Sequence, residues 1–240
     1  MTAADQLVIK GFLETSFVDW DGKIVAVVFL PYCNFRCPFC HNAGLVNQPD
    51  KYETIPVARI FSFLKEHTDF LDGVCITGGE PVLHVNQGLV EFIEEIKKLP
   101  LLVKLDTNGT DPELIKRLLD RKLVDFIAMD VKAPLDERYY KLCGVETDLA
   151  KIKQSVALII KSGIESEFRT TVVPNLLYLK DIEDLARGIK GAKKFVLQQF
   201  DPRNTLDPAL AAYEPYPLEK LQEMADLAKR WVQNVQIRGK

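Results

Sequence analysis

Cys33-Asn34-Phe35-Arg36-Cys37-Pro38-Phe39-Cys40-His41-Asn42 follows directly on Ile24-Val25-Ala26-Val27-Val28-Phe29-Leu30, the most apolar run in the first third of the chain. Three cysteines at spacings of four and three residues put three thiolates on one short loop. Such a set converges naturally on one soft metal centre, and a 4Fe–4S cube is normally held by Cys ligands. Only three are on offer, so one iron of such a cube keeps an open position. A catalytic cluster needs that opening and an electron carrier does not. The competing reading is a Cys3His zinc site completed by His41, a common structural ligand set. The rest of the chain decides between the two.

At 240 residues the chain has room for one large core, and α/β barrels of this size commonly form a single domain. Hydrophobic residues make up 47% and charged residues 27%, ordinary values for a globular protein. A formal net charge of −3 supplies no basic field for nucleic acid or an anionic membrane. Met1-Thr2-Ala3-Ala4-Asp5 lacks the basic and apolar regions of a secretory signal. No apolar run approaches the ~18–20 residues that span a bilayer. A cytoplasmic protein is expected, with neither nucleic acid nor membrane as partner. Five cysteines, an odd number with three of them clustered, favour a metal over disulfides in a reducing compartment. Cys75, within Val74-Cys75-Ile76, and Cys143, before Gly144, read as packed, inert thiols.

Along the chain a short apolar strand recurs, followed each time by an amphipathic helix. Strands are expected over 24–30, 73–77, 101–106, 124–129, 168–173 and 194–199. Helical stripes lie between them: Val57, Ile60, Phe61 and Leu64; Leu89, Ile93 and Ile96; Leu114, Ile115 and Leu118. The third opens with Asp111 as N-cap and Pro112 in first position. Ile152, Val156 and Ile159 form a fourth stopped at Gly163, and Ile182, Leu185 and Ile189 a fifth stopped at Gly191. Leu221, Met224 and Ala228 form the last, opened by Pro217. Near-continuous apolar strands alternating with helices indicate a parallel sheet covered by helices. Six units fall short of the eight that close a full barrel. An open partial (β/α)6 barrel is expected, with doubly wound packing as the alternative. A single domain over 1–240 is expected, its core at about 20–200 and a helical extension over 201–240.

The chemically loaded residues sit at the C-terminal ends of those strands. The first strand ends in the cysteine loop and the second in Thr77-Gly78-Gly79-Glu80-Pro81. The third ends in Asp106-Thr107-Asn108-Gly109 and the fourth in Asp130-Val131-Lys132. The fifth carries Arg169 and leaves through Pro174-Asn175, and the sixth ends in Gln198-Gln199. Ligands of parallel α/β folds bind at that rim. Singly each motif has a plain reading: Gly78-Gly79 as a tight turn, Asp106 and Asp130 as caps, Lys132 as a surface lysine, His67 and His84 as unremarkable. Functionally, adjacent glycines let a ligand approach the backbone with Glu80 nearby. Acidic groups at strand ends bind hydroxyls or a small cation, and Lys132 pairs with a carboxylate. His41 then serves as a donor beside the metal rather than a ligand. Their joint occurrence on successive strand ends disfavours zinc.

On these motifs the sequence resembles the radical SAM (S-adenosylmethionine) superfamily. Cys33, Cys37, Phe39 and Cys40 match its Cys-x3-Cys-x-aromatic-Cys signature, and Gly78-Gly79-Glu80-Pro81 matches its glycine-glycine-glutamate-proline motif. Cys40-His41-Asn42, Leu105-Asp106-Thr107-Asn108-Gly109 and Asp130-Val131-Lys132 are similar to glycyl-radical-enzyme activases. Glu14-Thr15-Ser16-Phe17-Val18-Asp19-Trp20 and Gln198-Gln199-Phe200-Asp201-Pro202 are most similar to activases of anaerobic ribonucleoside-triphosphate reductase. The chain lacks the cysteine-rich ferredoxin-like insert of several relatives, and the histidine that pyruvate formate-lyase activases carry on the sixth strand. Pyruvate formate-lyase activation, or a small-molecule reaction such as that of a deazapurine synthase, is the runner-up. The resemblance implies an oxidoreductase with a 4Fe–4S cluster on Cys33, Cys37 and Cys40 and S-adenosylmethionine on its open iron. Reductive cleavage yields a 5′-deoxyadenosyl radical that takes hydrogen from a glycine of a partner glycyl radical enzyme, a flavodoxin or ferredoxin supplying the electron. Gly78, Gly79 and Glu80 are implied for the methionine amine, Lys132 for its carboxylate, Asp106 for the ribose and Phe39 for the adenine. Asp106 with Asp130 is implied for a monovalent cation, and Arg169 and Gln198 for S-adenosylmethionine or the partner.

Overall fold

The computed structural model describes residues 3–239. Its strands are β1 (Gly11–Ser16), β2 (Val25–Leu30), β3 (Gly73–Gly78), β4 (Leu102–Thr107), β5 (Phe126–Asp130), β6 (Glu165–Val172), β7 (Lys194–Gln199) and β8 (Asn234–Arg238). They lie in one sheet in chain order. β1 runs antiparallel to β2, while β2–β3, β3–β4, β6–β7 and β7–β8 are parallel. A doubly wound sheet reverses its strand order at a switch point. No reversal occurs here, so the mostly parallel sheet carries the barrel-type order expected and the doubly wound alternative falls away.

The six expected strands are all present, and β1 and β8 are additional. Neither of these two has an apolar run: β1 alternates poorly and its ladder shifts register between Leu13 and Ser16, and β8 has no fully buried residue. Their pairing comes from a neighbour's edge rather than from their own side chains. Over 201–239 the expected helical extension is therefore corrected to a short 3-10 turn (Pro208–Ala212), a helix (Leu218–Ala228) and then β8.

The helices are α1 (Ala43–Asn47), α2 (Val57–Glu66), α3 (Leu89–Ile96), α4 (Pro112–Asp120), α5 (Arg138–Cys143), α6 (Leu149–Ser162), α7 (Leu179–Gly188) and α8 (Leu218–Ala228). The expected stripes point inward: Ile60 and Leu64, Leu89, Ile93 and Ile96, Ile152 and Ile159, Ile182 and Leu185, and Leu221 and Met224 are all essentially inaccessible. Burying each such side chain contributes about 1.5–3 kcal/mol before the entropy of ordering is set against it. Asp148 caps α6 by accepting from the Ala150 and Lys151 amides, and Gly163 ends it in the left-handed conformation. α7 stops at Gly188, three residues before Gly191, because Ile189 already leaves helical geometry. Among the described residues no helix is long and apolar enough to cross a membrane.

The chain divides into two compact units. One comprises the residues up to Asn34, Gly44–Thr107 and Glu113–Ile127; the other comprises Phe35–Ala43, Asn108–Pro112 and Ala128 onward. In the first, Trp20, Val25, Val27 and Cys75 form a core against Phe29, Leu102 and Phe126, with the Trp20 and Phe126 ring centroids 5.5 Å apart. In the second, Phe168, Phe195, Leu197 and Phe200 are buried with the inner faces of α6, α7 and α8.

Candidate functional site

In the first unit, β2 leaves through Pro31 and Tyr32 into Cys33, and β3 beside it ends in Gly78-Gly79-Glu80. The Gly79 amide donates to the Leu30 carbonyl (2.8 Å) and the Glu80 amide to the Tyr32 carbonyl (2.7 Å). Gly78 has φ +119, and a Cβ there would lie 2.3 Å from the Leu30 oxygen. A Cβ on Gly79 would lie 1.7 Å from the Tyr32 oxygen. The expected reason for the two glycines, approach of a ligand, is thus joined by a stronger one: the chain's own entry to the cysteine loop needs the space. Glu80 is buried, and its carboxylate accepts from the Val82 amide (3.2 Å) and from Thr107 Oγ1 (2.7 Å). It caps the turn Pro81–Gln87 and ties β3 to the end of β4.

Asp106 sits two residues beyond Lys104 on β4, and alternation turns both side chains to one face. They form an ion pair, and Asp106 also accepts from Thr77 Oγ1 at 3.2 Å. Lys104 and Thr107 were invisible as site residues in the sequence. Lys104 interrupts an apolar strand at even spacing from Asp106, and that spacing is the signal that was available.

In the second unit the loop Phe35–Ala43 is pinned at several points. The Arg36 amide donates to the Cys143 carbonyl (2.8 Å), the Cys40 amide to the Cys37 carbonyl (3.0 Å) and the Asp207 amide to the Pro38 carbonyl (2.8 Å). His41 Nε2 hydrogen-bonds the Asp201 carbonyl oxygen at 2.9 Å, so this nitrogen is engaged by the main chain rather than by the thiols. Asp130, at the end of β5, accepts from Lys132 Nζ (3.0 Å) and Arg169 Nε (2.9 Å). Lys132 therefore turns to the same side as Asp130, while Val131 is fully buried. Its ammonium stands 6.0 Å from the centre of the Phe39 ring.

The backbone of Lys132 is held by Tyr139, whose hydroxyl accepts from the Lys132 amide (3.3 Å) and whose ring meets Phe35 edge-on at 6.2 Å. Nothing in the sequence marked Tyr139, because it reaches the site from α5. Gln198 is half-buried on β7 opposite Thr171 and Arg238, and Gln199 is tied to the Tyr216 carbonyl.

The charges act on one another. Burial by itself would raise the Asp130 carboxyl, but Arg169 and Lys132 outweigh it and hold it well below the usual carboxylate range. Burial likewise opposes the charge on Lys132, and Asp130 and Cys37 reverse this and raise it. Burial pushes the Cys40 thiol up, while Lys132 and the Asn42 amide pull it back. None of the five cysteines is in a disulfide, and Lys132 favours the thiolate form that iron requires at Cys40. That donor chemistry fits a thiolate-held cluster. Among the described residues no three His, Cys, Asp or Glu side chains stand together as a site for a bare metal ion.

A profile of the Radical SAM superfamily matches residues 27–189. The chain belongs to that superfamily. This radical SAM protein is 36% identical to a Methanocaldococcus jannaschii protein assigned as a glycyl-radical enzyme activating enzyme, over 96% of this chain and 95% of the relative. It is 34% identical to the pyruvate formate-lyase-activating enzyme of Listeria monocytogenes, over 48% of this chain and 50% of that enzyme. Streptococcus suis SuiB bound to S-adenosylmethionine shares the fold with a TM-score of 0.67 at 15% identity, over 89% of this chain and 52% of SuiB. The radical SAM protein spans about half the length of these last two. Membership carries with it a 4Fe–4S cluster and S-adenosylmethionine as cofactors, and the nearly full-length relative makes the chain activase-like.

Proposed function

We propose that this chain installs a glycyl radical on a partner enzyme, and that the partner is an anaerobic ribonucleoside-triphosphate reductase. The observation that carries the activase reading is the Lys132 ammonium, bonded to Asp130 at 3.0 Å and standing over Phe39 of the cysteine loop. The choice of a reductase is supported by the Gln198-Gln199-Phe200-Asp201-Pro202 segment, whose Asp201 carbonyl hydrogen-bonds His41.

When bound, the cluster and S-adenosylmethionine supply an adenosyl radical able to abstract hydrogen from a glycine. The chain's own residues bind and orient. Cys33, Cys37 and Cys40 would hold the iron of the cluster. Gly78 and Gly79 turn the backbone toward the methionine amine, and Glu80 keeps that turn rigid through Val82 and Thr107. Lys132 offers its charge to the methionine carboxylate while Asp130 and Arg169 hold it in place. Asp106 would accept from the ribose hydroxyls, Phe39 would pack near adenine, and Arg169 and Gln198 would contact S-adenosylmethionine or the partner.

The test is anaerobic reconstitution with iron and sulfide. About four irons per chain and a reduced-state EPR signal altered by S-adenosylmethionine are expected. Cys33→Ala, Cys37→Ala and Cys40→Ala abolish both; Cys75→Ala and Cys143→Ala keep them. With a reductase as partner, a glycyl-radical doublet and release of 5′-deoxyadenosine follow. Stoichiometric zinc in place of iron, or turnover of a small molecule with no protein partner, refutes the reading. Efficient activation of a pyruvate formate-lyase but not of a reductase replaces the partner and leaves the class.

A further inference from the structure

Among the described residues Lys104 is a deeply buried ammonium paired with a candidate ligand-binding group: its side chain is 3% exposed and that of Asp106 12%. It stands opposite Cys75 in the β3–β4 register, with Nζ 3.7 Å from Cys75 Sγ and 5.9 Å from the centre of the Phe126 ring. A thiol and a ring face are weak partners for an ammonium, whereas the Asp106 carboxylate is a strong one. That carboxylate is gripped on both oxygens, Oδ1 by Lys104 and Oδ2 by Thr77, so its plane is set before any ligand arrives. Its charge is also already matched. A second cation on the same carboxylate would meet the ammonium at short range, a like-charge contact that opposes binding. Hydroxyl donors carry no such penalty and gain from a preset acceptor.

We propose that Lys104 is a built-in cation for Asp106: it positions this carboxylate for neutral hydroxyl donors and replaces a dissociable sodium or potassium ion there. The assignment of the hydroxyls to a ribose rests on the function proposed above; the replacement of the ion does not. It departs from the expectation, drawn from the resemblance, of a monovalent cation held by Asp106 with Asp130.

The test compares sodium, potassium and choline chlorides at equal ionic strength. Cluster-free full-length protein is melted in each, and reconstituted protein is titrated with S-adenosylmethionine. The wild type is expected to show one melting temperature and one affinity in all three salts. Lys104→Met melts lower in choline chloride and recovers by roughly 3–6 °C in sodium or potassium at about ten times the ion's dissociation constant. Its affinity for S-adenosylmethionine drops about 10-fold in choline chloride and returns with the small cations. Lys104→Met/Asp106→Asn has no charge left to neutralise and responds to no salt.

A wild type that melts higher or binds tighter in sodium or potassium overturns the proposal, as does a Lys104→Met protein blind to the cation. If Lys104→Met does not fold, the wild type and the double variant still decide. If the wild type binds no S-adenosylmethionine in any salt, the functional reading fails, and the melting series judges Lys104 independently.

Discussion

Lys132→Met removes an ammonium while keeping most of the stem. Lys132 Nζ lies 3.0 Å from Asp130 Oδ2, with the two side chains 16% and 25% exposed. At that distance and an effective dielectric near 20, the attraction is about 5–6 kcal/mol. Desolvation of both ions offsets most of it, and Asp130 keeps the Arg169 Nε bond at 2.9 Å. The net loss is then about 1.5–3 kcal/mol, which for a chain of this size lowers the melting temperature by roughly 3–12 °C. The pH dependence follows from the carboxyl. Because Asp130 titrates below its ordinary value of 3.8 in the folded chain, its contribution is present above that value and is lost as pH falls through the folded one. The gap between wild type and variant is full at neutral pH and closes on the acid side. Lys132, raised above its ordinary 10.5, contributes below that value and loses its share only as pH rises beyond it. Circular-dichroism melts of the cluster-free protein at pH 7 measure the gap, and a series carried to acid and to alkaline pH follows the two groups. A variant melting within about 1 °C of wild type at pH 7 refutes the ion-pair account. A second reading comes from Cys40, whose thiol Lys132 pulls back toward its ordinary value: in the variant its alkylation by iodoacetamide in mildly alkaline buffer slows.

Gly79→Ala forces the β3 turn off the Tyr32 carbonyl and should cost about 3 kcal/mol or more, whereas Gly22→Ala, with open space around it, costs only the ~1–2 kcal/mol of left-handed backbone; paired thermal melts compare them. Glu80→Gln keeps Oε1 as an acceptor for both Val82 and Thr107 but removes its charge, so both bonds weaken and stability falls by about 1 kcal/mol, read by urea unfolding. Glu167 is 3% exposed and is forked by Arg238 at 2.8 and 2.9 Å, with Lys194 at 3.1 Å. Glu167→Ala strands those cations at a cost of about 3–5 kcal/mol, and a melting temperature within about 2 °C of wild type contradicts it.

Apart from the short helices α1 and α5, the six strands, the helices between them and the strand-end motifs were legible in the sequence. Each is a local signal: an apolar run, a 3.6-residue stripe, a glycine, or a cluster of thiols within ten residues. β1 and β8 were not legible, because edge strands are recruited by a neighbour's unpaired backbone and need no apolar pattern. Gly78-Gly79 was legible as a motif but only in part as a cause, since the carbonyls that crowd it belong to Leu30 and Tyr32, nearly fifty residues earlier. The partners of the charges were decided by tertiary structure alone. Lys104 shows only as a break in an apolar strand until strand register sets it against Cys75 and beneath Asp106. Tyr139 carries no signal until α5 brings its hydroxyl to the Lys132 amide. Periodicity along a chain tells which face a side chain takes. The cost of burying a charge is set by what stands opposite, and that is supplied by segments far away in the sequence.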